Sequence, residues 1–196
     1  MKIFVGCSAS EDIPNKYRLD SKILLDELFK GENDLVFGAC NSGIMSDAYN
    51  SALNNNRNIV GICPDAYKHD FLDLKCTTEI TTKTVNDRTD GLIEEGEVLL
   101  FLPGGFGSVY ELFTAIESKR CHEHNREIII YNSEGFYDEL LLFIEKIYNE
   151  KFAKEYVRDY IASFLPIFYI ILVPLVLLII YTIVEARILK KINLST

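Results

Sequence analysis

Positive charge is scarce in this chain: 20 lysines and arginines stand against 29 aspartates and glutamates, a formal net charge of −9. Nucleic-acid phosphates need a basic surface, so this balance argues against DNA or RNA as a partner. It leaves room for one phosphate held by backbone amides and an arginine or two. The five cysteines, Cys7, Cys40, Cys63, Cys76 and Cys121, form no Cys-x-x-Cys pair. Scattered and odd in number, they are expected as reduced thiols of a cytosolic domain, not as a disulfide framework or a zinc site. No Gly-Lys-Ser/Thr occurs, so there is no Walker A loop. The apolar opening, residues 1–6, is too short for a signal peptide and reads as a first strand. Internal repeats and low-complexity segments are missing as well.

Charge of either sign is missing from residues 161–184, 24 consecutive positions that include Pro166 and Pro174. At ~1.5 Å per residue such a run spans a ~30 Å hydrocarbon core, and the expectation is a transmembrane helix. Basic residues flank it on both sides, Lys151, Lys154 and Arg158 before and Arg187, Lys190 and Lys191 after, so they set no orientation. The expected organisation is a domain over residues 1–150, a linker over 151–160, the membrane segment over 161–184 and a short basic tail over 185–196. The cysteine pattern places the domain on the cytoplasmic side of that anchor.

What is present before residue 150 is an alternation of strands and helices. Strands are predicted over 2–5, 34–37, 58–63, 75–82, 97–102 and 127–131. Helices are predicted over 17–29, 42–54, 86–94, from 112 onward, and over 136–149, with Thr84 or Asn86 capping the third. Apolar strands alternating with helices imply a parallel sheet covered on both faces. Turns bearing glycine or serine follow the first, second and fifth of these strands: Gly6-Cys7-Ser8, Gly38-Ala39-Cys40-Asn41-Ser42-Gly43, and Pro103-Gly104-Gly105-Phe106-Gly107. In a parallel sheet the strand C-termini lie on one edge, so these turns are expected to converge on one crevice at a topological switch point.

The last of these turns carries the most chemistry. A glycine-rich turn between strand and helix lets backbone N–H groups close around an anion at the helix N-terminus. Gly104, Gly105 and Gly107 allow that approach, Ser108 adds a hydroxyl, and Glu111 follows one turn into the helix. A carboxylate beside a phosphate cradle suggests chemistry next to the phosphate. A tight turn followed by an ordinary acid is the alternative. Ser8 and Asn41 are candidates for sugar or phosphate contacts or are simple turn residues, and Asp47 reads as a solvated helix acid. His122 and His124 form an H-x-H pair expected on a solvated loop without metal. Cys7 has no histidine partner and reads as a small buried side chain, and Tyr131 and Tyr137 as core or rim.

These residues resemble the LOG family, often labelled "lysine decarboxylase-like". The family pattern P-G-G-x-G-T-x-x-E runs from Pro103 to Glu111 with Ser108 in place of threonine. The family's M-x-x-R-K corresponds to Val85 through Thr89, with Arg88 in register. The early glycine segment matches in part at Gly38, Gly43 and Met45, and the later one at Asn132, Gly135 and Tyr137. The resemblance covers about residues 1–150. It departs at Thr89, at Ala39-Cys40, and at Ser118 and Arg120, where the family has a tryptophan and a glutamine. It implies a Rossmann-like, doubly wound α/β fold, a homodimer, and hydrolysis of the N-glycosidic bond of a nucleoside 5'-monophosphate, cytokinin-type or adenine, without cofactor or metal. It marks Arg88 and Glu111 as catalytic. Gly104, Gly105, Gly107, Ser108, Ser8 and Gly38 would hold the phosphate or nucleotide. A membrane-tethered nucleotide sensor and a nucleoside deoxyribosyltransferase are the alternatives. A lysine decarboxylase is disfavoured, since no lysine stands in a pyridoxal-phosphate context.

Overall fold

In the computed structural model, which describes residues 1–164, short apolar runs form the strands of one parallel sheet. The strands are β1 (Lys2–Gly6), β2 (Asp34–Phe37), β3 (Ile59–Pro64), β4 (Thr78–Thr82), β5 (Val98–Phe101), β6 (Glu127–Tyr131) and β7 (Ile161–Phe164). Their order across the sheet is β4-β3-β2-β1-β5-β6-β7, and every neighbouring pair is parallel. The central strands are buried along nearly their whole length, as expected for a sheet covered on both faces. The threonine-rich β4 is an edge strand and is largely exposed or half-buried.

The helices are α1 (Asn15–Lys30), α2 (Gly43–Asn54), α3 (Val85–Glu95), α4 (Phe106–Arg120) and α5 (Asp138–Asn149). α1 and α2 pack against each other, burying Leu24, Leu25, Leu28, Phe29, Ile44 and Ala48. A separate core joins Phe4, Val36, Val60, Ile62 and Leu99 of the strands to Leu92 of α3 and to Leu112 and Ala115 of α4. Side chains alternate across the strands, so Phe4 enters this second core and meets Phe101 edge-on at 5.7 Å between ring centroids. Each fully buried Leu, Ile or Phe of this kind contributes roughly 1.5–3 kcal/mol. The doubly wound α/β expectation is met, with helices on both faces of the sheet.

The element boundaries show where local sequence signals fail. α4 begins at Phe106, inside the glycine run, earlier than expected. A 3-10 helix, Asp65–Asp73, fills the connection between β3 and β4, where no element is predicted. The expected membrane segment over 161–184 is corrected at its start, because Ile161–Phe164 pairs with β6 as a strand. The expected linker contains a 3-10 helix, Glu155–Tyr160, whose Val157 is buried against Ile144 and Tyr148. The rest of the 161–184 run lies outside the described residues. Among the described residues, no helix is long and apolar enough to cross a membrane.

Candidate active site

The turns after β1, β2 and β5 stand side by side, because these strands are adjacent and the chain reverses direction across the sheet between β1 and β5. Backbone hydrogen bonds tie them together. Ser8 N donates to Pro103 O (3.0 Å), Leu102 N to Gly6 O (2.9 Å), and Met45 N to Ser8 O (3.1 Å). Gly43 has φ +59°, and a Cβ there would stand 2.6 Å from Ser10 O, so both conformation and space require glycine. The predicted convergence of the three turns at the switch point is therefore present.

Two charged side chains meet there. Arg88, from the first turn of α3, donates from Nη1 to Glu111 Oε1 of α4 at 2.7 Å. Its Nε donates to Ile62 O within β3 (3.2 Å). Glu111 is 5% exposed. Burial pushes its carboxyl above the usual range, and the Arg88 guanidinium pulls the other way without cancelling the burial effect. A Cβ on Gly6 would lie 3.3 Å from Glu111 Oε2, so β1 forms the wall beside that oxygen. Oε2 accepts no hydrogen bond among the described residues.

The cradle lies at the start of the helix that carries Glu111. Gly104 is buried, and a Cβ there would collide with Ser108 Oγ at 2.1 Å, so glycine permits this close approach. Gly105, Phe106 and Gly107 form the exposed lip, and a Cβ on Gly105 or Gly107 would meet nothing within 4 Å. No side chain caps α4, whose N-cap is Gly105. The first amides of the helix thus have no partner within it and are available to an anion. Ser108 Oγ, on a residue only 4% exposed, makes no hydrogen bond among the described residues.

The other sequence candidates are placed as follows. Ser8 Oγ accepts from Ser10 N at 3.1 Å and closes a turn. Gly38 lies directly under the Arg88 guanidinium. Asn41 is exposed. Asp47 is not a free helix acid: its carboxylate takes Arg18 Nε (2.7 Å) and Nη2 (3.3 Å). Arg18 also binds Glu11 (2.7 Å), and Glu11 accepts from the Gly43 amide at 2.8 Å. The Gly43 hydrogen bond and Arg18 together hold the Glu11 carboxyl below the usual range. Tertiary packing assembles this rim network from three separate segments, so no local sequence pattern marks it. Cys7 is buried, and burial, reinforced by Glu111, keeps its thiol protonated. That environment is unsuited to a nucleophile.

Tyr137 is core and donates to Leu102 O (2.7 Å), while Tyr131 is buried and donates to Asp20 (2.9 Å). The solvated-loop expectation fails for His124, which is 6% exposed. Its Nε2 lies 3.0 Å from Ala115 O and its Nδ1 accepts from Arg126 N at 3.1 Å, because the chain folds back on α4 at this point. Among the described residues no cluster of three or more His, Cys, Asp or Glu side chains could hold a metal. A separate groove of about 430 Å³ runs between α4, α5 and the 3-10 helix before β7, lined by Phe113, Ile116, Ile147 and Phe152, and it contains neither Arg88 nor Glu111.

Residues 45–165 match the family described as "Possible lysine decarboxylase". A cytokinin riboside 5'-monophosphate phosphoribohydrolase of Arabidopsis thaliana, LOG2, is 28% identical over 163 residues, covering 83% of this chain and 76% of the relative. A probable cytokinin riboside 5'-monophosphate phosphoribohydrolase of Oryza sativa subsp. japonica, LOGL6, is 26% identical over 161 residues, covering 82% of this chain and 64% of the relative. Among solved structures, the molybdenum cofactor binding protein of Rippkaea orientalis superposes with a TM-score of 0.60 at 17% identity, covering 83% of this chain and 87% of that one. The molybdenum cofactor carrier protein of Chlamydomonas reinhardtii gives a TM-score of 0.58 at 14% identity, covering 83% and 88%. At such identities the two structures speak for the fold alone.

Proposed function

Because the chain belongs to the LOG family of lysine-decarboxylase-like proteins, we propose that it hydrolyses the N-glycosidic bond of a nucleoside 5'-monophosphate to free base and ribose 5-phosphate. The observation that carries this reading is the contact of half-buried Arg88 with buried Glu111, 2.7 Å apart, beside an uncapped helix N-terminus with an open glycine lip. The 5'-phosphate sits on the amides that open α4 and on Ser108 Oγ, where the helix dipole favours negative charge. As the bond between C1' and the base nitrogen breaks, positive charge grows on the ribose ring. The Glu111 carboxylate stabilises that charge, and Oε2 is free to orient the water that bonds to C1'. The departing base takes up one proton and the other proton of the water stays on the new hydroxyl. Arg88 favours the ionised form of Glu111 against burial and offers its remaining N–H groups to phosphate or base.

The test is the full chain incubated with AMP and with a panel of other monophosphates, assayed for free base and ribose 5-phosphate. Release of both is expected, and Glu111→Ala should lower the rate by about 10²–10⁴-fold. Nucleotide binding without release from any member of the panel would replace this reading with a sensor. Two companion proposals rest on sequence and family: a homodimer, checked by analytical ultracentrifugation, and a cytoplasmic domain attached to a membrane through residues 165–184. The second is checked by fractionating the chain with and without residues 165–196.

A further inference from the structure

Gly38 ends β2 in the crevice, and its glycine is not required by backbone conformation. Among the described glycines, positive φ angles occur at Gly43 and Gly135 and not at Gly38. What Gly38 lacks is space. An ideal Cβ on it would stand 1.8 Å from Arg88 Nη2, 3.0 Å from Arg88 Cζ and 3.5 Å from Met45 Cε. The first distance is about half an ordinary van der Waals separation. The guanidinium is also fixed from two other sides, by Nε on Ile62 O and by Nη1 on Glu111 Oε1. Any rotation that relieved a clash at Nη2 would therefore break one or both of those hydrogen bonds. Nη2 itself makes no hydrogen bond among the described residues. It is the end of the fork left over for a ligand, and neither Gly38 nor Arg88 is fully buried.

We propose that Gly38 is a positioning residue for the Arg88–Glu111 pair: its missing Cβ gives the guanidinium its seat, so that Nη1 reaches Glu111 while Nη2 remains free for substrate. This deepens the hydrolase reading and rests on it for its functional half. It differs from a role for Gly38 as a phosphate-binding amide. An alanine at this position keeps the amide but removes the seat, so the amide role predicts an effect independent of Arg88. The seating role predicts an effect that exists only while the guanidinium is present.

The experiment is a double-mutant cycle in the full chain with Gly38→Ala, Arg88→Ala and the pair together. Melting temperature, AMP affinity, and kcat and KM for AMP are measured for each. The expected result is that Gly38→Ala lowers the melting temperature in the parent chain but not in the Arg88→Ala background. It should also cost at least tenfold in kcat/KM, mostly in kcat, with the double variant no worse than Arg88→Ala alone. The acid limb of kcat should move to higher pH in Gly38→Ala, because Glu111 loses the positive charge that favours its ionised form. A Gly38→Ala chain that fails to fold while the double variant folds would support the seat. Equal destabilisation in both backgrounds, or failure of both chains to fold, would overturn it, and so would a Gly38→Ala enzyme with parental kcat. The stability cycle needs no substrate. If the parent released no base from any monophosphate, the hydrolase reading would fail while the melting temperatures still decided whether Gly38 seats Arg88.

Discussion

At the scale of single residues, two buried titratable groups pull stability in opposite directions. Glu111 has a carboxyl raised by burial. A group whose folded pKa lies above its unfolded value contributes stability below the unfolded value, near 4.5, and that contribution is lost as pH rises through the folded value. The ionised form of Glu111 is thus a cost to the fold. Glu111→Gln retains an acceptor for Arg88 Nη1 and removes the buried charge. Above the folded value it is expected to be more stable than the parent by on the order of 1 kcal/mol. The difference should vanish in acid, as read by urea denaturation at several pH values. In the parent, the acid limb of kcat should lie at higher pH than an exposed glutamate would give.

His124 behaves the other way. Burial lowers its pKa, and both ring nitrogens of the neutral form are already engaged, one with Ala115 O and one with Arg126 N. A second ring proton would face the Arg126 amide, donor against donor. Stability from this group is present above the unfolded value, near 6.5, and is lost as pH falls through the lower folded value. His124→Gln should therefore flatten the stability profile on the acid side of neutrality, whatever it does to stability at pH 8. An unchanged slope would show that some other group governs that window.

At the scale of elements, α3 decides where Arg88 stands. Thr84 Oγ1 accepts from Asp87 N (3.0 Å) and Asp87 accepts from Thr84 N (3.1 Å), a reciprocal capping box one residue before Arg88. Arg88 N makes the first backbone bond of the helix, to Thr84 O at 3.1 Å. Thr84→Ala is expected to cost about 1 kcal/mol of stability. It should lower kcat several-fold with little change in KM, because fraying this turn loosens the guanidinium and not the phosphate cradle. Asp87→Ala should do much the same, and the double variant should cost less than the sum, since each half of the box depends on the other. Thr84 was one of two caps the sequence offered, Asn86 being the other, and the central strands were legible, because their apolar runs are too short for anything but buried strands. The start of α4 was not, because the glycines that open the cradle hide a helix that begins among them. The Arg88–Glu111 contact was legible only through the spacing of a known family pattern. The Glu11–Arg18–Asp47 network left no signal, because tertiary packing alone brings its members together.

At the scale of the whole molecule, β7 shows how a local pattern misleads. Ile161–Phe164 runs without a charge into a longer uncharged segment, and the continuity of composition conceals the end of the sheet. The fold uses these residues to cover β6, pairing Ile128 with Ile161, Ile129 with Ala162, Ile130 with Ser163 and Tyr131 with Phe164. The segment leading to β7 contributes Val157 to the cluster of Ile144 and Tyr148, and Tyr148 donates to Val157 O at 3.3 Å. A chain cut at residue 150 would leave the isoleucines of β6 on an open edge, with unpaired backbone groups beside apolar side chains, the arrangement most prone to pairing with another molecule. It would also uncover the inner face of α5. A chain ending at 164 is therefore expected to unfold cooperatively and stay dispersed, whereas one ending at 150 should aggregate or melt at clearly lower temperature. The crevice lies between β1 and β5, with β6 between it and β7. On the proposed function, any folded fraction of the shorter chain should thus bind a monophosphate as the parent does, so the loss should appear in light scattering and calorimetry before it appears in binding. Equal stability of the two chains would mean that β7 is an accessory and that the sheet closes at β6.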